Sequence, residues 1–167
     1  MAFFSRMIYY TCIRPAEIRG LQVGDINLEK RSIKIPIDIK KVTSGNNNDV
    51  IEINESFIPF LKNLELQNYP SHYYLTGSLT NIIGEKKIGE NTPYNKLIVA
   101  LKKLNLDKKG YDLYSFKHTS NIKKYKSGWS LAEIMKANRH TSITTTEIYL
   151  RKLGEFVDVL TKQIPLI

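Results

Sequence analysis

The sequence predicts an α+β fold, mainly α-helical, with a small antiparallel three-stranded sheet near the N-terminus. Three observations predict it. Apolar residues recur at helical spacing through most of the second half of the chain. A turn-rich stretch, Thr43 to Asn48 (TSGNNN), separates two short runs of strand-forming residues near the front. The length, 167 residues with 42% apolar and 25% charged, suits one domain built on one core.

The elements follow in order. Ala2 to Ile13 is apolar and has no cap in front of it, which is expected of a helix that continues something upstream; the chain reads as a module of a longer protein. Pro15 opens a second helix: proline is favoured at the first helical position, and Glu17 suits the positive end of the dipole. Gly20 ends it. Val23–Asn27, Ile33–Ile39 and Val50–Ile53 are the expected strands. In Ile33–Ile39 the apolar residues fall on every odd position, and Pro36 places the run at an edge or bulge. Ile33–Lys41 and Asp49–Ile53 then pair as a hairpin with an open loop. Phe57, Phe60, Leu61 and Leu64 trace one helical face. Ser71 to Gly89 is irregular apart from Tyr73–Leu75. Thr92-Pro93 starts a helix whose buried stripe is Leu97, Ala100, Leu101 and Leu104. A helix from about Tyr114 to Ser127 follows Gly110. Capping boxes at Ser130–Glu133 and Thr144–Glu147 open two more, the last carrying Tyr149. Leu153 to Gln163 is a final amphipathic segment.

Charge narrows the function classes. Lys plus Arg number 25 against 16 Asp plus Glu, a net charge of +9, which favours a polyanionic partner, nucleic acid before membrane. No apolar run approaches the roughly 18–20 residues of a membrane span, and no signal-peptide cleavage site follows the apolar start. A lone cysteine, Cys12, cannot build a disulfide framework or a Cys-rich zinc site. The expectation is a soluble, intracellular, basic domain.

Arg14 precedes a proline and is therefore pushed out of the α region, onto the N-cap position of the next helix. Its guanidinium and the free N–H groups of that helix end point to one place, a ready phosphate site; the alternative is a surface pair with Glu17. Tyr114 and Lys117 share a helix face, which Asn121 and Lys124 continue. Lysines 102, 103, 108, 109, 117, 123, 124 and 126 crowd into one stretch, interleaved with Tyr111, Tyr114 and Tyr125, as expected of a surface that meets a phosphate backbone. His140 lies just before a Ser/Thr-rich helix start, with Tyr149 nine positions on.

The segments Thr11–Leu21 (TCIRPAEIRGL), Tyr114–Thr119 (YSFKHT) and His140–Tyr149 (HTSITTTEIY) resemble, in order and spacing, the signature boxes of the tyrosine recombinase (phage-type integrase) family. The resemblance covers nearly the whole chain as that family's C-terminal catalytic domain, residues 1–167, without its upstream core DNA-binding domain. It implies catalytic roles for Arg14, Lys41, Lys117, His140 and Tyr149, with Lys40 as a one-residue alternative to Lys41. Tyr114 supports the second box, and Lys40, Lys123 and Lys124 are expected on DNA. Two places depart from the family: Lys117 stands where Arg is usual, losing the bidentate fork, and Tyr114 where His is frequent. Arg139 also sits where Gly often precedes the His.

What the resemblance implies is site-specific recombination of double-stranded DNA from a mobile element, through a covalent 3′-phosphotyrosine on Tyr149. Arg14, Lys117 and His140 would neutralise charge building on the phosphate oxygens, the cations would favour the phenolate, and Lys41 would protonate the leaving 5′-oxygen. Neither ATP nor a metal is implied. The full-length partner would be a homotetramer on paired sites, with Leu153, Phe156, Val157 and Leu160 docking on a neighbour or packing at home, in a bacterial or phage cytoplasm at the nucleoid. The alternatives are a DNA-binding module that has lost its chemistry and a DNA-relaxing enzyme of the type IB topoisomerase kind.

Overall fold

In a computed structural model the described residues are 2–39, 50–77 and 82–154. Seven helices and three strands lie among them: α1 (Ala2–Thr11), α2 (Pro15–Gly20), β1 (Ile26–Asn27), β2 (Ser32–Lys34), β3 (Val50–Glu52), α3 (Ile58–Lys62), α4 (Thr92–Lys103), α5 (Tyr114–Lys126), α6 (Leu131–Asn138) and α7 (Ile143–Lys152). The α+β class and its three-stranded antiparallel sheet are as the sequence predicts.

The sheet runs in the order β1-β2-β3, with Ile26 opposite Ile33 and Ile33 opposite Ile51. Its strands are shorter than expected. The alternation through Ile39 stops being a strand at Lys34, because Pro36 has no N–H to give a ladder. Its carbonyl instead accepts from Ile39 N–H in a turn (3.3 Å), and Ile37 ends up 83% exposed. Ile39 returns to the body of the protein against Gly20, where a Cβ would collide with its side chain. Val23–Asp25 is a 3-10 turn rather than strand.

One apolar core joins the front elements. Phe3, Phe4, Met7 and Ile8 of α1 meet Ile33 and Ile51 of the sheet, with Ile18, Phe57, Leu61 and Leu75 closing the sides. Phe57 is fully buried and stacks between Tyr10 (centroids 4.8 Å apart) and Phe60 (5.6 Å). On α4 the expected stripe is buried at Leu97 but runs out at Leu104, 65% exposed, where the helix leaves the body.

The C-terminal helices are anchored by caps. Ser130 and Glu133 form the expected box, Ser130 Oγ accepting from Glu133 N–H (3.2 Å) and Glu133 Oε2 from Ser130 N–H (2.7 Å). The start of α7 differs: Ser142, not Thr144, is the cap, its Oγ accepting from Thr145 N–H (3.2 Å). Ser142 has the extended backbone an N-cap needs (φ −147, ψ 155), whereas Thr144 lies inside the helix. Helix α5 packs along α1 on one side and on α6 on the other, and α6 packs on α7. Those contacts carry the residues of interest to one place.

Candidate active site

Helix α1 ends because Cys12 turns into the left-handed region (φ 55). Thr11 Oγ1 secures the turn, donating to Met7 O and accepting from Ile13 N–H. Arg14 then takes the extended conformation that Pro15 enforces (φ −70, ψ 144) and sits at the N-cap of α2 as expected. The pair with Glu17 forms: Arg14 N–H donates to Glu17 Oε2 (3.1 Å) and Nη1 to Oε1 (3.3 Å). It is not a surface pair. Glu17 is 1% exposed, and its Oε2 also accepts from Arg139 Nη2. Burial alone would raise the Glu17 pKa, but the Arg139 charge and hydrogen bond, reinforced by Arg14, hold it below the ordinary value.

Arg139 caps the C-terminus of α6 with a left-handed backbone (φ 56, ψ 42). That conformation costs a non-glycine residue roughly 1–2 kcal/mol. Arg139 Nε and Nη1 are buried with no hydrogen-bond partner among the described residues.

Helix α5 turns Lys117, Ser120 and Asn121 inward. Lys117 is 6% exposed and donates from Nζ to Cys12 O (3.2 Å). Burial, with Arg14 and Arg139 adding repulsion, pulls its pKa from 10.5 to about 8. Tyr114 stays at the mouth, 43% exposed, its ring 6.5 Å from that of His118. Lys123 is exposed and lies over the Tyr9 ring at 5.9 Å. Lys124 turns inward instead, Nζ 3.2 Å from Cys12 Sγ and 5.5 Å above the Trp129 ring. Lys40 and Lys41 lie outside the described residues, as do Phe156, Val157 and Leu160.

Helices α6 and α7 bring the last two residues. The His140 ring stands edge-on to the Tyr149 ring (5.7 Å, 77°), and its Nδ1 is 2.8 Å from Thr146 Oγ1. Burial, then the charges of Lys117 and Arg14, pull the His140 pKa down to about 4. At neutral pH His140 is an uncharged hydrogen-bonding group, not a cation. Tyr149 is pushed up to about 12 by burial, against a hydrogen bond from Asn121 that lowers it. The expectation that nearby cations favour the phenolate is corrected here: its hydroxyl meets an imidazole and an amide, and desolvation wins.

Those two groups are His118 and Asn121. Tyr149 Oη is 2.6 Å from His118 Nδ1 and 3.2 Å from Asn121 Nδ2. Asn121 is paired reciprocally with Asn138, accepting at Oδ1 from Asn138 Nδ2 (2.6 Å) and donating from Nδ2 to Asn138 Oδ1 (3.1 Å). The sequence pointed to Glu17 as a partner of Arg14, but not to His118 or Asn138. His118 lies one turn on from Tyr114, and that spacing was its one signal.

The structure therefore brings His140 against Tyr149, with the charges of Lys117 and Arg14 reaching the His140 ring. Such a cluster can hold a tetrahedral anion and offer a nucleophile to it. The profile of the phage integrase family matches residues 2–155, and the chain belongs to that family. No curated protein matches it in sequence. Among solved structures, XerA recombinase is similar at 18% identity over 86% of this chain, with a TM-score of 0.62. The Tn1549 transposon integrase in complex with circular intermediate DNA is similar at 17% identity over 87%, also 0.62. This chain spans about half the length of each, 50% and 51%. Among the described residues no helix is long and apolar enough to cross a membrane.

Proposed function

We infer that this chain is the strand-cleaving and rejoining domain of a site-specific DNA recombinase, acting through a covalent phosphotyrosine on Tyr149. The observation that supports the reading is the His140 ring standing edge-on to the Tyr149 ring, with the charges of Lys117 and Arg14 reaching His140.

The scissile phosphate is a poor electrophile because its anionic oxygens repel the attacker. Arg14 and Lys117 offset that repulsion, and they do most as charge accumulates on the non-bridging oxygens. Lys117 is charged at neutral pH despite its lowered pKa, and a bound phosphate strengthens that charge. His140, whose Nδ1 is engaged with Thr146 Oγ1, offers its other ring nitrogen to a phosphate oxygen. Tyr149 Oη attacks phosphorus, the bond to the 5′-oxygen breaks, and the leaving oxygen takes a proton from Lys41 on the β2–β3 hairpin. A 5′-hydroxyl from another strand reverses the steps, so the energy of the broken bond stays in the adduct. The wider protein binds double-stranded DNA through Lys40, Lys123 and an upstream domain, and works as a tetramer on paired sites.

The test is covalent capture. A pool of nicked duplexes randomised around the nick traps the adduct, because the short strand beyond the nick diffuses away. The chain yields an SDS-resistant protein–DNA band, and Tyr149→Phe abolishes it while binding to the pool is unchanged. An adduct that persists in Tyr149→Phe, or none in the unaltered chain, overturns the reading. The second reading, a binding module without chemistry, is favoured by Lys117 being tied to Cys12 O; new cleavage on Lys117→Arg in an otherwise inactive chain would support it.

A further inference from the structure

The burial of Tyr149 raises a question the cation cluster leaves unanswered: what removes the phenol proton. With a pKa of about 12 the free phenolate is scarce near neutrality, and Arg14 and Lys117 are turned to Glu17 and Cys12. The family place where an imidazole is frequent holds Tyr114. A different imidazole stands against the hydroxyl, one turn further along α5.

The hydrogen-bond network bears on which way that proton points. The reciprocal pair of Asn121 and Asn138 sets both amides: Asn138 Nδ2 donates to Asn121 Oδ1 and to Ile134 O (2.9 Å). Asn121 Oδ1 is thereby an acceptor already in use, and Nδ2 is the atom facing Tyr149. An amide nitrogen only donates, and Asn121 Nδ2 shares its two N–H groups among Lys117 O (2.9 Å), Asn138 Oδ1 (3.1 Å) and Tyr149 Oη (3.2 Å), so it offers the Tyr149 hydroxyl no acceptor. The Tyr149 O–H is left to donate, and the acceptor at 2.6 Å is His118 Nδ1. His118 then carries its ring proton on Nε2 and presents a lone pair to the nucleophile.

The geometry points to His118 as the general base for Tyr149, with Asn121 as the donor that holds the developing phenolate. The proposal rests on the recombinase reading above. In cleavage the Tyr149 proton passes to His118 Nδ1 as the Oη–phosphorus bond forms, and the 5′-oxygen leaves with a proton from the general acid at the other side of phosphorus. In rejoining, the His118 imidazolium returns its proton to the departing phenolate. The ring of Tyr114 lies 6.5 Å from that of His118.

Three variants and one spectrum test this. Single-turnover adduct formation on the randomised nicked pool is measured against pH for the unaltered chain, His118→Gln, His118→Asn and His118→Gly. Glutamine and asparagine can still accept a hydrogen bond but are too weakly basic to take the proton. Both slow cleavage by about 100-fold or more while binding to the pool stays within twofold. The titration that limits the unaltered rate on the acid side disappears in them, and the rate climbs with pH toward ionisation of the phenol itself. Added imidazole restores His118→Gly at least tenfold. A merely positioning His118 predicts an unchanged pH profile and no imidazole rescue, and that result overturns the proposal while leaving the recombinase reading intact. The spectrum is independent of cleavage: ¹⁵N chemical shifts of the unaltered chain place the His118 lone pair on Nδ1. A protonated Nδ1 at neutral pH sinks the assignment even if no adduct is ever trapped.

Discussion

The two halves of this molecule have different interiors. Between α1, the sheet and α3, the buried side chains are nearly all hydrocarbon: Phe3, Phe4, Met7, Ile8, Ile33, Ile51, Phe57 and Leu61. Between α5, α6 and α7, Ile134 and Leu150 share the interior with Lys117, Ser120, Asn121, Asn138, Arg139 and Thr146. The first interior is held by removal of apolar area from water, at about 25 cal/mol per Å². The second is held by paired amides and a buried carboxylate between two guanidiniums, arrangements whose desolvation costs nearly match their gains. The lesson is that stability and chemistry have been separated in space. The front half supplies the free energy that lets the back half keep polar groups out of water.

Substitutions in each half break or sharpen that contrast. The largest expected effect is in the hydrocarbon half. Phe57→Ala removes a ring stacked on two others and costs about 3–5 kcal/mol, read as a fall in thermal midpoint; a loss under 1 kcal/mol would mean that this core is not what holds the fold. Arg139→Met, in the polar half, follows. It leaves Glu17 buried with less compensation and costs about 3 kcal/mol at neutral pH. The pH dependence has a definite sign. The Glu17 pKa is held below 4.5 when folded, so its contribution is fully present above pH 4.5 and fades as pH falls through the folded value. The unaltered chain therefore loses stability on that acid limb and Arg139→Met loses less, as chemical denaturation at pH 3 to 6 would reveal. An equal acid slope in both chains would remove the pair from the account.

The smallest change in stability is the most telling. Lys117→Met removes a buried ammonium whose burial opposes folding while it is charged, and it forfeits one hydrogen bond to Cys12 O. The two nearly cancel, so the thermal midpoint moves by the equivalent of less than about 1 kcal/mol while adduct formation falls by at least tenfold. A large loss of stability would make Lys117 part of the scaffold and erase the division between the halves.

Local chemistry settled much of this in advance. Proline at 15 and 36, the Ser130–Glu133 box and the alternating isoleucines act within a few residues of themselves, through fixed φ, a missing N–H or a reciprocal cap, so their consequences can be read off the polymer. The family boxes picked out Arg14, Lys117, His140 and Tyr149 as candidates. Where Tyr149 points its hydroxyl was not legible there. That depends on how α7 docks on α5, and only the docking brings His118 and Asn121 to the phenol and buries it far enough for desolvation to outweigh the Asn121 hydrogen bond. Arg139 is the same kind of case. On paper it occupies a glycine's place; in the fold it shares a buried carboxylate with Arg14, because a guanidinium removed from water must find an anion, and the nearest one lies 122 positions away along the chain.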